Sequence, residues 1–352
     1  MSSAHDLLRS HVAGLPAYTT ARSAHDAGIL LDANENAFGS PVRDEGWQLH
    51  RYPDPRNRKL RSALAAGLRT DPGRLWLGNG SDDAIDLLVR AVVDPGAPVA
   101  VPVPSYGVYA QRVAAHAGVV RPFPLDAQFD LDVDAAAEAS RGAGLCFVCS
   151  PNNPTGNLLS RGRLMDLLDR TESIVAVDEA YVEFAGEEHS LTALAGRDGP
   201  GERLVVVRTL SKAWGLAGAR IGCLVGAPDL VSALDRIGLP YPLSTVSAEI
   251  GVEALRQQPL VEKRIRGIRA ERRWLANELS ELGLRVLPSD ANFLCFFVED
   301  PSGLQARLAE SCGVVVRDRS TMPGLAGALR VTVGTRRENL AFLSGLRQEL
   351  SR

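Results

Sequence analysis

Lysine is rare in this chain. Of its 39 Lys and Arg residues only three are lysines: Lys59, Lys212 and Lys263. Lys59 sits in Arg56-Asn-Arg-Lys-Leu-Arg61 and Lys263 in Glu262-Lys-Arg-Ile-Arg266, both read as solvated helix faces. Lys212 follows the apolar run 204–210 and precedes glycine-spaced residues, with no acid beside it in sequence. An amine in such surroundings loses hydration, so its pKa falls and it becomes available as a nucleophile. Taken alone, a chance lysine at a strand end explains the position equally well. Three further stretches change that balance. Leu77-Gly-Asn-Gly-Ser-Asp-Asp83 leads into a helix whose apolar residues Ile85, Leu88, Val89 and Val92 have helical spacing. Ser81 is read as its N-cap. Glycines before a helix start let backbone N–H groups approach an anion, which the helix dipole favours by roughly 0.3–1 kcal/mol. Ser150-Pro-Asn-Asn-Pro-Thr-Gly156 is a polar turn directly after an apolar run, and Val177-Asp-Glu-Ala-Tyr181 places an acid at a strand end.

Those types in that order meet the needs of one cofactor. An acid can keep a ring nitrogen protonated, a lysine can form a Schiff base, and a glycine-shaped helix start can hold a phosphate: the requirements of pyridoxal phosphate (PLP). Each piece also has a plain structural reading, as a turn, a cap or a core aromatic. Their common order around one isolated lysine is what those readings leave unexplained. The helix start at 78–83 is not a dinucleotide fingerprint, because Asp83 stands where the third glycine belongs.

The elements that position these residues are read from the apolar pattern. Runs 98–106, 145–150, 174–177, 204–210 and 220–226 are continuously apolar, as in a mainly parallel sheet covered on both faces. Amphipathic segments such as 109–116 and 163–170 lie between them, and a basic helix is expected over 57–68, so the large unit is α/β. Ligands in such sheets bind outside the carboxyl ends of the strands. After about Pro240 a long helical stretch, interrupted near Pro259, leads to shorter strands at 284–287, 293–298, 314–316 and 329–333 and a final helix from about Arg337. The division expected is an N-terminal arm (1–29), a large cofactor-binding domain (30–257) and a small α+β domain (258–352).

Composition narrows the function classes. A net charge of −3 without a long basic run argues against nucleic acid or an anionic membrane as partner. No signal-like N-terminus and no bilayer-length apolar stretch is read, so the cytoplasm is the default. The five cysteines lie mostly in apolar runs and suit reduced, buried thiols. Cys146 and Cys149 have C-x-x-C spacing, but on a strand they face opposite sides.

Asn-Asn-Pro-Thr-Gly, Asp-Glu-Ala-Tyr and Ser-Lys-x-x-x-Leu-x-Gly-x-Arg resemble the fold-type-I PLP-dependent aminotransferases. Asp32-Ala-Asn-Glu-Asn36, Arg51-Tyr-Pro-Asp54, Gly78-Asn-Gly-Ser-Asp82, Tyr241-Pro-Leu-Ser-Thr245 and Leu329-Arg-Val-Thr-Val-Gly-Thr335 are similar to the histidinol-phosphate aminotransferase family. The resemblance spans residues 18–335. It implies a seven-stranded, mainly parallel sheet and transamination between L-histidinol phosphate and 2-oxoglutarate. It further implies that Lys212 holds PLP and then moves the substrate proton, and that Asp178 pairs with the ring N–H. Asn153 and Tyr181 would bond the ring's 3′-oxygen and Tyr106 would stack on it. Ser81, Asp82, Thr209, Ser211 and Arg220 would hold the phosphate, joined by Tyr52 from the second subunit of a homodimer. Arg330 would anchor the substrate's acid end with Arg317 nearby, Tyr18 would close over it, and Arg319 reads nearly as well as a surface arginine. An aromatic amino-acid aminotransferase and a threonine-phosphate decarboxylase share most of these residues and remain alternatives. Ala37-Phe-Gly-Ser-Pro41, Trp214 and Asp83 depart from the family's usual residues.

Overall fold

The computed structural model describes residues 3–13, 16 and 46–351. Tyr18, the motif at 32–36 and most of the expected arm lie outside the described residues.

A seven-stranded sheet forms the centre of the chain. Its strands are β1 (Leu75–Gly78), β2 (Pro98–Val103), β3 (Val119–Pro124), β4 (Leu145–Cys149), β5 (Ile174–Asp178), β6 (Leu204–Thr209) and β7 (Gly222–Val225). They lie in the order β1-β7-β6-β5-β4-β2-β3, and all pairs from β6 to β3 are parallel. β7 runs antiparallel to both its neighbours, β6 and β1. One reversed strand therefore leaves the carboxyl ends of β1, β2, β4, β5 and β6 on the same edge, beside the start of β7.

β4, β5 and β6 are buried along their whole length, as their mainly apolar sequences lead one to expect, with Asp178 ending β5 and Arg208 and Thr209 ending β6. Helices cover both faces: α1 (Arg58–Gly67), α2 (Ser81–Val92), α3 (Val108–Ala115), α4 (Val133–Ala139), α5 (Arg161–Arg170), α6 (Pro228–Ile237) and α7 (Thr245–Arg256). Cys146 packs into the core on one face and Cys149 into the core on the other.

The 24-residue α8 (Gln258–Glu281) leads into a second, antiparallel sheet of β8 (Phe293–Phe297), β10 (Ala328–Thr332) and β9 (Arg317–Asp318), in that order. α9 (Pro301–Cys312) and α10 (Arg336–Leu350) complete it. α10 starts with a reciprocal cap, Thr335 and Glu338 each bonding the other's backbone N–H. A small apolar cluster, with Tyr181, Phe184, Ala213, Ala291 and Phe293, joins the two sheets next to Lys212.

Four local readings differ from the structure. The expected strand at 314–316 has no regular structure, because Val314 N–H bonds Leu308 O and closes α9. The pairing strand starts at Arg317 instead. At 284–287 only a bridge between Val286 and Phe296 forms, since Leu284 N–H is engaged with Leu279 O at the end of α8. Arg220 lies outside β7 in the left-handed region (φ 54, ψ 55). Ser81 is not the N-cap: Gly80 holds that position and Ser81 opens the helix.

Candidate active site

The strand edge forms the floor of a cleft of about 200 Å³. One end is built from the turn between β1 and α2. Gly80 has φ +89, and a Cβ there would stand 2.5 Å from Arg220 Nη2. A Cβ on Gly222 would stand 2.2 Å from the Gly80 carbonyl carbon. Only glycine at both positions lets β7 close against the helix start. Because Ser81 and Asp82 occupy the first turn, their N–H groups have no acceptor within the helix. Around them stand Ser211, whose N–H and hydroxyl both bond Thr209 Oγ1 (3.1 and 2.8 Å), and Arg220, whose Nη2 lies 3.3 Å from Asp82 Oδ2. Backbone donors, two hydroxyls and a guanidinium at a helix N-terminus make an anion cradle.

The middle of the cleft holds the acid and the amine. Asp178 ends β5 and is 4 % exposed. Burial pushes its carboxyl up to about 6, opposed by the Tyr109 hydroxyl donating to Oδ2 at 2.7 Å and by Ala180 N–H donating to Oδ1 at 3.1 Å. Burial likewise lowers the Lys212 pKa, and the charges of Arg330 and Arg220 lower it further against the pull of Asp82 and Asp178. An ionised acid and an amine eased toward neutrality are the protonation states proton-transfer chemistry near pH 7 needs. Lys212 Nζ lies 5.7 Å from the centroid of the Tyr181 ring. Asn153 Nδ2 donates to Tyr181 Oη at 3.5 Å. Tyr106 donates to Asp82 Oδ1 at 3.0 Å and meets Tyr109 edge to face.

The far end is cationic. Arg330, on β10, donates to Asn153 Oδ1 and sits 5.2 Å over the Phe293 ring. Arg319 joins it on the cleft wall, whereas the Arg317 side chain is exposed and does not line the cleft. Tyr52 is also outside this lining: it is 51 % exposed and stacks on Tyr241 with centroids 4.6 Å apart.

Three supports were not read from sequence. Asn152, beside Asn153, takes a bond from Ser105 Oγ (2.7 Å) and donates to Pro104 O (3.0 Å), tying the β4 turn to the β2 turn. Tyr109, one helical turn after Tyr106, reaches Asp178 from the start of α3. Arg208, on β6, is buried with Glu183 (2.9 Å), Glu187 (2.8 Å) and Glu179 (3.4 Å), fixing the segment after Asp178 to the strand that leads to Lys212. A larger cavity of about 630 Å³ lies behind β6, but neither Lys212 nor Asp178 lines it.

The chain matches the family described as aminotransferase class I and II over residues 26–346. The chain belongs to the class I and II aminotransferase family. It is similar to histidinol-phosphate aminotransferases from Parabacteroides distasonis (39% identical, covering 99% of each chain) and Xylella fastidiosa (41% identical, covering 97% of this chain and 96% of the other). Among solved structures it is similar to the Sinorhizobium meliloti histidinol-phosphate aminotransferase in complex with pyridoxal-5'-phosphate. That likeness has a TM-score of 0.81 at 27% identity, covering 91% of this chain and 90% of that one. The sheet order and the second antiparallel sheet are thus those of a fold-type-I aminotransferase, as the motifs implied.

Proposed function

We propose that this chain is a PLP-dependent transaminase that exchanges the amino group between L-histidinol phosphate and 2-oxoglutarate, giving imidazole acetol phosphate and L-glutamate in histidine biosynthesis. One observation carries the reading: a single cleft holds the Lys212 amine and the buried Asp178 between a glycine-shaped anion cradle and a cationic wall. The residues fit PLP. The cradle is closed at Gly80 and Gly222, where a Cβ would collide with Arg220 or the Gly80 backbone, Asp178 is an acid buried where a ring N–H needs an acceptor, and Lys212 is an amine of lowered pKa.

Bound PLP supplies an electron sink for the charge left when the substrate Cα loses its proton. The chain supplies the rest. Ser81 and Asp82 N–H groups, Thr209, Ser211 and Arg220 would hold the phosphate. Asp178 would keep a proton on the ring nitrogen. Asn153 and Tyr181 would bond the ring's 3′-oxygen, and Tyr106 would pack against the ring. Lys212 would hold the cofactor, and its amine would take the proton from the substrate Cα. Arg330 receives the substrate's anionic end, a phosphate for histidinol phosphate and a carboxylate for glutamate; a planar guanidinium pairs with either.

The active unit in this reading is a cytoplasmic homodimer in which Tyr52 serves the cofactor phosphate of the second copy. Its exposure and its place outside its own cleft support this. The cofactor-binding domain ends near residue 257, between α7 and α8. Steady-state glutamate formation from 2-oxoglutarate with either histidinol phosphate or phenylalanine as amino donor tests the proposal. It expects a kcat/KM at least tenfold higher for histidinol phosphate; a preference for phenylalanine moves the function to aromatic transamination.

A further inference from the structure

The turn after β4 that carries Asn153 is gripped at two points by the chain of the second sheet. The turn first closes on itself: Asn152 N–H bonds Asn157 O (2.9 Å) and Gly156 N–H bonds Asn152 O (2.7 Å). Asn153 then accepts from Arg330, on β10, and donates to Tyr181 Oη. Both ends of its side-chain amide have partners, so its orientation is fixed. A few residues further along the turn, the segment 289–290 that leads into β8 crosses it. Asp290 N–H donates to Gly156 O at 2.7 Å, and Asp290 Oδ2 accepts from Leu158 N–H at 3.0 Å. The approach is close: Gly156 has φ +88, and a Cβ there would stand 2.5 Å from Ser289 Oγ. The crossing segment is itself braced. Ser289 Oγ donates to Phe293 O (2.7 Å) and accepts from Ala291 N–H (3.2 Å), and Arg272 of α8 donates to Ala291 O (2.6 Å). β8 pairs with β10, Cys295 standing opposite Arg330. Asp290 and Arg330 therefore belong to one hydrogen-bonded unit and hold one turn between them. A carboxylate accepting a backbone N–H makes the stronger kind of hydrogen bond. Where the Asp290 bond holds the turn sets where Arg330 meets Asn153.

We propose that Asp290 is a positioning residue: by holding the turn at 152–158 against the second sheet, it keeps the Asn153 amide aligned between Arg330 and Tyr181. Asp290 does not line the cleft and acts through Asn153. This rests on the transaminase reading, in which Asn153 bonds the ring's 3′-oxygen, and adds what keeps Asn153 there.

The test compares Asp290→Ala with Asp290→Asn, which keeps an oxygen to accept from Leu158 N–H. In cofactor-free protein, hydrogen exchange across 152–158, followed by mass spectrometry, is expected to quicken ~10-fold in Asp290→Ala and less than ~3-fold in Asp290→Asn. In the holoenzyme, the pH midpoint of the cofactor's absorbance change is expected to rise by about one pH unit in Asp290→Ala, because a donor aligned on the 3′-oxygen favours its charged form. Its kcat is expected to fall ~10-fold with KM changed less than ~3-fold, and Asp290→Asn to recover most of both effects. Unchanged exchange, a lowered urea midpoint with kcat and the absorbance midpoint unmoved, or a loss in Asp290→Asn as large as in Asp290→Ala would overturn the proposal. Should Asp290→Ala not fold, Gly156→Ala, which drives Ser289 off the turn, decides on the same readouts. Exchange at 152–158 is read without cofactor or substrate. It therefore reports on Asp290 even where the wild type prefers phenylalanine, the result that fails the proposed function.

Discussion

Replacing Tyr109 by phenylalanine removes a single oxygen and keeps the rest of the residue. The ring is fully buried and stacks on Phe147 at 4.8 Å and 7°, contacts that phenylalanine retains. What disappears is the hydroxyl donating to Asp178 Oδ2 at 2.7 Å. A hydrogen bond to a charged acceptor contributes ~1.5–3 kcal/mol, and one pKa unit corresponds to ~1.36 kcal/mol. The bond favours the ionised carboxyl, so its loss raises the Asp178 pKa from about 6 by ~1–2 units. At pH 7 the wild-type carboxyl is then ~90% ionised and that of the variant half ionised or less. The protonated fraction must lose its proton before it can serve as counter-charge to a ring N–H. Turnover by Tyr109→Phe is expected to fall at pH 7 and to approach the wild type above about pH 9. Carbon-13 NMR of the Asp178 carboxyl in cofactor-free protein, assigned with Asp178→Asn, measures the midpoint, and kcat against pH reads the consequence. An unchanged or lowered midpoint, or a deficit equal at every pH, refutes the reasoning.

Lys212→Ala should retain the fold and lose at least ~100-fold in turnover, the scale of a missing acid–base group. Borohydride-treated wild type should gain the cofactor's mass on the peptide bearing Lys212, while the variant gains none. Arg208→Ala leaves Glu179 and Glu183 buried without their counter-charge and should cost ~3–5 kcal/mol by urea unfolding at pH 8. Burial holds Glu179 up at about 7 and raises Glu183. Arg208 opposes both shifts, so in the variant both carboxyls bind protons more readily than in the wild type, and the cost should shrink as pH falls from 8. Gly222→Ala forces a Cβ to within 2.3 Å of Ser81 N, displacing the cradle; cofactor affinity by equilibrium titration should fall at least tenfold with Asp178 and Lys212 in place.

The parts legible in sequence were those that use a whole element. β4, β5 and β6 announce themselves by mainly apolar runs, and residues at or just beyond the end of each, Asn153, Asp178, Thr209 and Lys212, do share one cleft. β1 has four residues and β3 carries Pro122 and Pro124, tolerated because β3 is an edge strand, so neither has a strand-like sequence. Ser81 has the composition of a cap, but Gly80 takes that place because the turn needs a positive φ there. Tyr109 was legible only as a helix residue; its bond to Asp178 crosses 69 positions. Arg317 and Arg319, two positions apart, would share a face on a continuous strand; what separates them is the end of β9 at Asp318, which the sequence does not mark.

The most direct test of the account is the absorption of the purified, PLP-loaded protein titrated with histidinol phosphate or phenylalanine and no keto-acid acceptor. The account predicts that histidinol phosphate converts the bound cofactor at much lower concentration than phenylalanine, and that Lys212→Ala shows no wild-type cofactor band. A response favouring phenylalanine contradicts the substrate assignment. A protein that takes up no PLP, and that Lys212→Ala leaves unchanged, contradicts the chemistry itself.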